Sequence, residues 1–186
     1  MKTLLNKFKI RQNKKIKIDQ LINKALYQSK VGYYSSRLPF GKRGDFITSP
    51  TISNLFSEII AVWIISCWET LGKPKKFNLV ELGPGDGSLS KVLIRTFKKF
   101  PNFDSSVKIY LYEKSVFLKK IQKKKIKSNK VEWINNFKII KGGPIIFFGN
   151  EFFDAIPIKQ YFFKDKDLLE KCYILDKKGL KESYCK

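Results

Sequence analysis

The segment NLVELGPGDGSL, residues 78–89, constrains the fold more than any other part of the chain. An apolar run leads into three glycines at alternate positions, Gly83, Gly85 and Gly87, and a helix-like pattern follows. Glycines there let the backbone approach a ligand closely, and a strand before them with a helix after them is the context that makes such a pattern informative. The segment therefore predicts a strand, a turn and a helix, with a ligand at the carboxyl end of the strand.

Strand and helix patterns alternate along the middle of the chain. Near-continuous apolar strands separated by helices are typical of a parallel sheet that is covered on both faces. We therefore predict an α/β fold with a doubly wound, mostly parallel sheet, preceded by an N-terminal helical segment. The predicted strands are FNLVELG, VKIYLYE, VEWI and a strongly buried PIIFFGNEFF, and the helices between them are SLSKVLIRTFKKF and FLKKIQKKKI.

The N-terminal helical segment consists of two predicted helices and a long loop. Residues 18–30 place their apolar side chains on one helical face, and residues 33–49 form an irregular segment rich in aromatic side chains. A second helix is predicted over 49–71, and because apolar residues cover most of its circumference we expect it to be buried on more than one side. Its tryptophans, Trp63 and Trp68, are expected in the core.

A chain of 186 residues can bury one sizeable core, so one domain is expected over 18–186, after a basic segment at 1–17. This segment holds seven Lys or Arg and no acid, and its single arginine and lack of serine favour a solvated start over a mitochondrial presequence. We expect a cytoplasmic protein, with the mitochondrial matrix as the alternative. The most apolar run, at 59–65, is shorter than the ~20 residues that span a membrane. The last residues predict a hairpin around 165–167 and a turn at 177–179.

Composition limits both the partners and the chemistry. The formal net charge is +22, but all except four of the 38 basic residues are lysine, which is a weak signature of nucleic-acid binding and typical of an AT-rich genome. We expect no nucleic-acid partner, and the lysine run at 119–130 is interpreted as the solvated face of an amphipathic helix. The lack of histidine excludes Ser-His-Asp triads and HExxH zinc sites. Three cysteines without CxxC spacing predict neither a disulfide framework nor a metal site.

The glycine turn fits two classes of cofactor. A dinucleotide places its pyrophosphate on the helix amino end and prefers the spacing GxGxxG, whereas here the third glycine comes early and two acids, Glu81 and Asp86, flank the turn. S-adenosylmethionine has no phosphate and carries an ammonium and a sulfonium, which suit a negative pocket. We therefore favour S-adenosylmethionine over a nicotinamide cofactor. Glu113, at the end of the next strand, is expected to accept hydrogen bonds from both ribose hydroxyls.

Several of the few acids fall in the long loop or where predicted strands end. The last predicted strand ends in Asn150, Glu151 and Asp154, and methyl transfer mainly requires that a nucleophile be positioned against the sulfonium. Paired carboxylates hold a planar guanidinium well, so Glu151 and Asp154 are predicted to bind an arginine-like substrate that Asn150 orients. The alternative is that Asn150 and Asp154 only cap the following turn. The clustered acids are Asp45, Glu81, Asp86, Glu113, Glu151 and Asp154.

Six motifs resemble, in their order and spacing, the MidA family of S-adenosylmethionine-dependent methyltransferases. They are GYYSS, PFG, GDFITSP, LVELGPGDGSL, YLYEKS and NEFFDAIPIKQ, and the resemblance extends over most of residues 18–175. The family includes a mitochondrial assembly factor that dimethylates an arginine on a subunit of respiratory complex I. The resemblance implies a class I methyltransferase fold, S-adenosylmethionine as cofactor, and an arginine in a protein, such as a complex I subunit, as substrate.

The resemblance also implies the site residues. Its cofactor motif corresponds to Gly83, Pro84, Gly85 and Gly87, with Glu113 at the strand end and Glu81 beside the turn. Its other cleft motifs correspond to Asp45, Thr48, Pro50, Asn150, Glu151 and Asp154. No metal is implied.

This chain departs from the family in a few places. It has SPTIS where SPEIS is usual, and Asp86 where a basic residue is common. Family members are roughly twice as long and a class I sheet needs about seven strands, so we expect an incomplete sheet here and a homodimer or a complementing chain as partner. The alternative function is a non-catalytic assembly or interaction protein that keeps the cofactor-binding half of the fold.

Overall fold

The computed structural model describes residues 8–10, 13–41, 44–176 and 179–186. These residues form two compact units. One unit is residues 38–152, which include the glycine turn, and the other joins the described residues up to Arg37 with residues 153–186. The expected boundary between a basic segment at 1–17 and one domain at 18–186 stays a prediction.

The described elements alternate between strands and helices through most of the chain. The strands are β1 (Lys15–Lys17), β2 (Phe77–Leu82), β3 (Val107–Tyr112), β4 (Val131–Ile134), β5 (Ile145–Phe148), β6 (Tyr161–Lys164), β7 (Asp167–Leu175) and β8 (Leu180–Cys185). The α-helices are α1 (Ile18–Tyr27), α2 (Tyr33–Ser36), α3 (Ser49–Ile52), α4 (Asn54–Thr70), α5 (Ser88–Phe97), α6 (Pro101–Ser106) and α7 (Val116–Lys125). Short 3-10 helices lie at Phe137–Ile139 and Phe153–Ala155.

A parallel sheet forms the centre of unit 38–152. Its four described strands lie in the order β4, β3, β2, β5, and every neighbouring pair is parallel. The first of them, β2, is therefore central, and the chain winds outward from it in both directions, as in doubly wound folds. This arrangement confirms the predicted α/β fold with a doubly wound, mostly parallel sheet.

The main hydrophobic core packs against one face of this sheet. Phe103 of α6 is fully buried and lies at the centre of an aromatic cluster. Its ring centroid is 4.8 Å from that of Phe97, 5.4 Å from that of Trp68 and 5.8 Å from that of Phe77. The cluster thus joins α4, α5, α6 and β2. The two elements that flank the glycine turn, β2 and α5, are therefore packed into the same core.

The helix predicted over 49–71 is interrupted, so that prediction is wrong. Ser53 has an extended backbone, and its hydroxyl accepts a hydrogen bond from the backbone N–H of Leu55 at 3.1 Å. A serine in this position caps a new helix. The chain therefore forms α3 and then α4, with a break between them.

Two apolar surfaces predicted to be buried are exposed instead. On α4 the side chains of Leu55, Ile59, Val62 and Trp63 form one stripe and are each more than half exposed. The prediction that this helix is buried on more than one side is therefore wrong, and so is the core position of Trp63, whereas that of Trp68 is confirmed.

Strand β5 lies at an edge of the described sheet. One of its faces carries Ile145 and Phe147, which are 41% and 49% exposed, so the prediction of a strongly buried strand is wrong for that face. Apolar patterning signals that a face is to be covered, but it does not specify which segment covers it. None of the described helices is long and apolar enough to cross a membrane.

The other unit contains an antiparallel sheet in which β7 pairs with β1, β6 and β8. The β6–β7 pair confirms the predicted hairpin, and two residues of the turn predicted at 177–179 lie outside the described residues. Cys172 and Cys185 form a disulfide, which corrects the prediction that no disulfide is present. Cys172 lies opposite Ser183, two residues from Cys185, so the β7–β8 register brings together cysteines whose spacing matches no familiar motif.

Replacing Trp68 by alanine should lower the free energy of unfolding by about 3–5 kcal/mol, because this large side chain is almost fully buried against Phe103. The matched change Trp63→Ala, on the exposed stripe of the same helix, should alter it by only about 0.5 kcal/mol. Denaturant unfolding followed by circular dichroism measures both values. Equal losses would contradict the burial described above.

Candidate functional site

The glycine turn connects β2 to α5 and has a left-handed backbone at three positions. The φ angles of Gly83, Gly85 and Gly87 are +62°, +56° and +79°. The N–H of Gly83 donates to the carbonyl of Tyr112 at 3.0 Å, and the N–H of Gly87 donates to the carbonyl of Pro84 at 2.8 Å. The first bond fastens the turn to the end of β3, and the second closes the turn in front of α5.

Aromatic rings press against two of these glycines. A Cβ on Gly83 would lie 2.8 Å from Cδ2 of Phe152, and a Cβ on Gly85 would lie 3.2 Å from Cε2 of Phe40. With positive φ angles as well, neither position accommodates a side chain. Glycine is thus required at both positions. Phe40 and Phe152, which are remote from the turn in sequence, pack onto it.

Glu113 follows β3 and is 6% exposed. Its Oε1 accepts a hydrogen bond from the backbone N–H of Ser115 at 2.8 Å, and its Oε2 accepts one from Nε2 of Gln122 at 3.1 Å. Burial raises the pKa of this carboxyl group, and the hydrogen bonds from Ser115 and Gln122 oppose that rise. The structure therefore places a buried, oriented carboxylate at the same end of the sheet as the glycine turn.

Gln122 is a site residue that the sequence analysis missed. Its side chain on α7 is fully buried, and its Nε2 also donates to the carbonyl of Gly85 at 2.8 Å. Its Oε1 accepts a hydrogen bond from Nε1 of Trp133 at 2.9 Å. The available signal was its position four residues after Leu118 on the apolar edge of α7, but the surrounding lysines obscured it.

Glu81, the penultimate residue of β2, is also buried, at 2% exposure. Its Oε2 accepts a hydrogen bond from the hydroxyl of Ser90 on α5. Burial raises the pKa of Glu81 to about 7, the Ser90 hydrogen bond opposes the rise, and the negative charges of Asp86 and Glu113 add to it. Near neutral pH this carboxyl group is therefore balanced between its protonated and ionised forms.

Asp86 contributes less negative charge than its position in the turn suggests. Its carboxylate accepts hydrogen bonds from the backbone N–H and the hydroxyl of Ser88, both at 2.9 Å. It also forms a salt bridge with Lys125 of α7, whose Nζ lies 2.8 Å from the Ser88 hydroxyl. Asp86 thus binds the first residue of α5, and its charge is compensated by that of Lys125.

Asn150 and Glu151 follow β5 beside the turn. Phe148 of β5 pairs with Glu81 of β2, so the residues after β5 leave the sheet at the same end as the glycine turn. Glu151 is exposed and has a φ of +54°, an unfavourable backbone conformation for a residue with a side chain. Such strain occurs frequently at functional sites.

The other two predicted cleft acids lie in different surroundings. Asp45 is exposed, in a loop closed by a hydrogen bond from the Phe46 N–H to the Pro39 carbonyl at 2.9 Å. The same loop carries Phe40, whose ring lies on Gly85. Asp154 is exposed in the 3-10 helix Phe153–Ala155, which belongs to the other compact unit. The structure thus groups the predicted cofactor residues, with Asn150, Glu151 and Asp45 in the same unit. The roles of these three residues and of Asp154 stay predictions.

The carboxylate oxygens of Glu113 fit hydroxyl donors better than an anion. They accept hydrogen bonds from the Ser115 N–H and from Nε2 of Gln122, with the Lys114 N–H as a further donor, and the hydroxyls of a diol would donate to them in the same way. Within the ranges that the structure describes, no three His, Cys, Asp or Glu side chains are grouped so that they could hold a metal ion.

A comparison with models of protein families matches residues 59–185 to the family described as "Putative S-adenosyl-L-methionine-dependent methyltransferase". The match covers more than half of the chain. The chain belongs to this family. The predicted cofactor, S-adenosylmethionine, is the one that the family description gives, and the resemblance to MidA-type methyltransferases is confirmed.

Curated relatives of the chain carry the name protein arginine methyltransferase NDUFAF7, mitochondrial. The protein from Xenopus laevis is 33% identical over 81% of this chain, and the human protein is 30% identical over 83% of it. The chain spans about two fifths of the length of these relatives, since 40% of each is covered.

A solved structure shows the same fold. It is that of a "likely methyl transferase" from Burkholderia thailandensis bound to S-adenosyl-homocysteine, with a TM-score of 0.75 and 21% identity. The similarity covers 92% of this chain and 46% of that one. A second structure from the same organism has a TM-score of 0.70.

The raised pKa of Glu81 should make stability depend on pH. Between about pH 4.5 and about pH 7 the folded chain keeps a proton that the unfolded chain has lost, so the free energy of unfolding should fall as the pH rises, by on the order of 3 kcal/mol. In Glu81→Gln most of this decrease should disappear, because the amide does not titrate. Denaturant unfolding at several pH values measures the effect, and the lack of histidine keeps other titrations few.

The control for this experiment is Glu69→Gln. Glu69 is an exposed carboxylate on α4 that forms a salt bridge of 3.0 Å with Lys73. Its removal should leave the decrease unchanged. The same pH dependence in Glu81→Gln and the unaltered chain would rule out Glu81 as its source.

Proposed function

We propose that this chain binds S-adenosylmethionine at the glycine turn and methylates an arginine of a protein substrate, such as a subunit of respiratory complex I. The observation that carries the proposal is the buried carboxylate of Glu113, held beside a turn whose glycines cannot bear side chains. Membership of the methyltransferase family supports the reaction class. The names of the relatives support arginine as the acceptor, and the resemblance to MidA-type proteins supports complex I.

The cofactor would be held mainly by backbone and by two carboxyl groups. Glu113 would accept hydrogen bonds from the two ribose hydroxyls, and Glu81 would lie beside the turn. When bound, S-adenosylmethionine supplies an electrophilic methyl group on a positively charged sulfur. The turn residues that would contact it are Gly83, Pro84, Gly85 and Gly87.

The acceptor would be bound by residues that follow β5. Glu151 and Asp154 would hold a guanidinium group by charge-assisted hydrogen bonds, and Asn150 would orient it. Asp45 would contribute a further carboxylate from its loop. The strained backbone of Glu151 supports this role, because strained residues persist only where the surrounding structure enforces them and they cluster at functional sites.

A partner polypeptide is also part of the proposal. The exposed apolar face of β5, at an edge of the described sheet, supports completion of the site by a second copy or a complementing chain. We propose the cytoplasm as its location, with the mitochondrial matrix as the alternative because the relatives are named mitochondrial.

A second candidate is a non-catalytic assembly or interaction protein that keeps the cofactor-binding half of the fold. The exposed stripe of Leu55, Ile59, Val62 and Trp63 favours it, because contiguous exposed apolar surface marks interaction sites. A folded chain that bound a complex I subunit through this stripe, yet showed no heat of binding with S-adenosylmethionine or S-adenosylhomocysteine, would favour this candidate over the enzyme.

Replacing Glu113 by alanine should weaken the binding of S-adenosylhomocysteine by about 100-fold, because two hydrogen bonds to a charged acceptor are lost. Isothermal titration calorimetry measures the dissociation constant. Glu132→Ala, which removes a half-buried acid of β4 that pairs with Lys108, is the control and should bind as the unaltered chain does. Undiminished affinity in a folded Glu113→Ala chain would reject the assigned cofactor site.

Replacing Glu151 by glutamine should separate catalysis from cofactor binding. Transfer of a labelled methyl group to a complex I subunit preparation should fall at least about tenfold, because the guanidinium loses a charged partner. The affinity for S-adenosylhomocysteine should not change, and Asp165→Asn, in the β6–β7 turn, should change neither quantity. Unaltered transfer by Glu151→Gln would refute its role in binding the acceptor.

A further inference from the structure

We propose that Gln122 is a positioning residue that fixes the sugar-binding carboxylate of Glu113 relative to the glycine turn. This inference rests on the proposed cofactor site. Gln122 is fully buried on a helix whose exposed positions are mostly lysines. A buried amide destabilises a fold unless its polar atoms are bonded, and here all of them are.

The orientation of the Gln122 amide follows from its neighbour Trp133. An indole N–H can only donate, so the atom of Gln122 that lies 2.9 Å from Nε1 of Trp133 must be the oxygen. The two hydrogens of Nε2 then point to the Gly85 carbonyl and to Oε2 of Glu113. The amide cannot rotate by half a turn without losing all three bonds.

One amide group thus sets the distance between the two halves of the proposed site. Gly85 belongs to the turn after β2, whereas Glu113 follows β3. Ser115 donates to one oxygen of Glu113 and Gln122 donates to the other, with the Lys114 N–H as a further donor, so the carboxylate is fixed in orientation. Gln122 therefore prepares Glu113 for a diol without touching the ligand itself.

Gln122 also favours the ionised form of Glu113, because it donates a hydrogen bond to the carboxylate. The other charged groups that act with Glu113 are Lys119, also on α7, and the carboxyl group of Glu81 on β2. Neither lies in the hydrogen-bond set of the Gln122 amide. A loss of Gln122 should therefore raise the pKa of Glu113 and leave its other partners in place.

The test is calorimetric binding of S-adenosylhomocysteine to the full chain and to Gln122→Met, which keeps the shape of the side chain but removes its hydrogen bonds. We expect about tenfold weaker binding. In a Glu113→Ala background, Gln122→Met should weaken the binding of S-adenosylhomocysteine only about twofold, because the carboxylate that Gln122 positions is absent. Lys124→Met, an exposed change on the same helix, is the control and should bind as the unaltered chain does.

The pH dependence of binding provides a readout that loss of packing alone would not move. As the pH falls, affinity should be lost at a higher pH in Gln122→Met than in the unaltered chain, because protonated Glu113 accepts hydroxyl donors poorly. If Gln122→Met does not fold, Trp133→Phe decides the matter: it frees the amide to rotate and should weaken binding about threefold.

Each outcome of these experiments is decisive. The positioning role alone would be overturned if Gln122→Met bound S-adenosylhomocysteine as tightly as the unaltered chain, or if it lost the same affinity with and without Glu113. If Gln122→Met is unfolded, unaltered affinity in Trp133→Phe would overturn it. If the unaltered chain binds no S-adenosylhomocysteine, the proposed function fails and this role fails with it.

Discussion

The hydrogen bond from the Gly83 N–H to the Tyr112 carbonyl is the contact on which the proposed site depends. It extends the pairing of β2 with β3 by one step beyond the sheet, so the glycine turn and Glu113 leave their strands side by side. Parallel strands make this possible, because their carboxyl ends meet at one edge. The ring of Phe152 beside Gly83 brings the segment after β5 to the same edge.

Burial and pairing, and not the number of acids, determine the charge of the site. Asp86 is paired with Lys125, the pKa of Glu81 is raised by burial to about 7, and burial also raises the pKa of Glu113 against the opposing hydrogen bonds from Ser115 and Gln122. Three carboxyl groups near one turn therefore have three different environments. Near neutral pH, Glu81 can bind or release a proton when a ligand binds.

The elements and the turn could be predicted from the sequence, whereas the environment of several side chains could not. Glycine spacing and apolar periodicity depend on residues close in the chain, so they predicted β2, α5 and the position of Glu113 correctly. The same periodicity predicted burial for Trp63 and Phe147, which are about half exposed, because it records apolar character and not the presence of a covering segment. The disulfide was missed because it depends on strand register.

By itself the sequence determined that a strand, a bare turn and a helix follow one another, and that acids stand at the strand ends. Only the tertiary structure decided what those groups touch. Gln122 reaches Gly85 across 37 residues and Lys125 reaches Asp86 across 39. Contacts at such separations are set by how α7 packs beside the turn, and no local pattern of residue types contains that information.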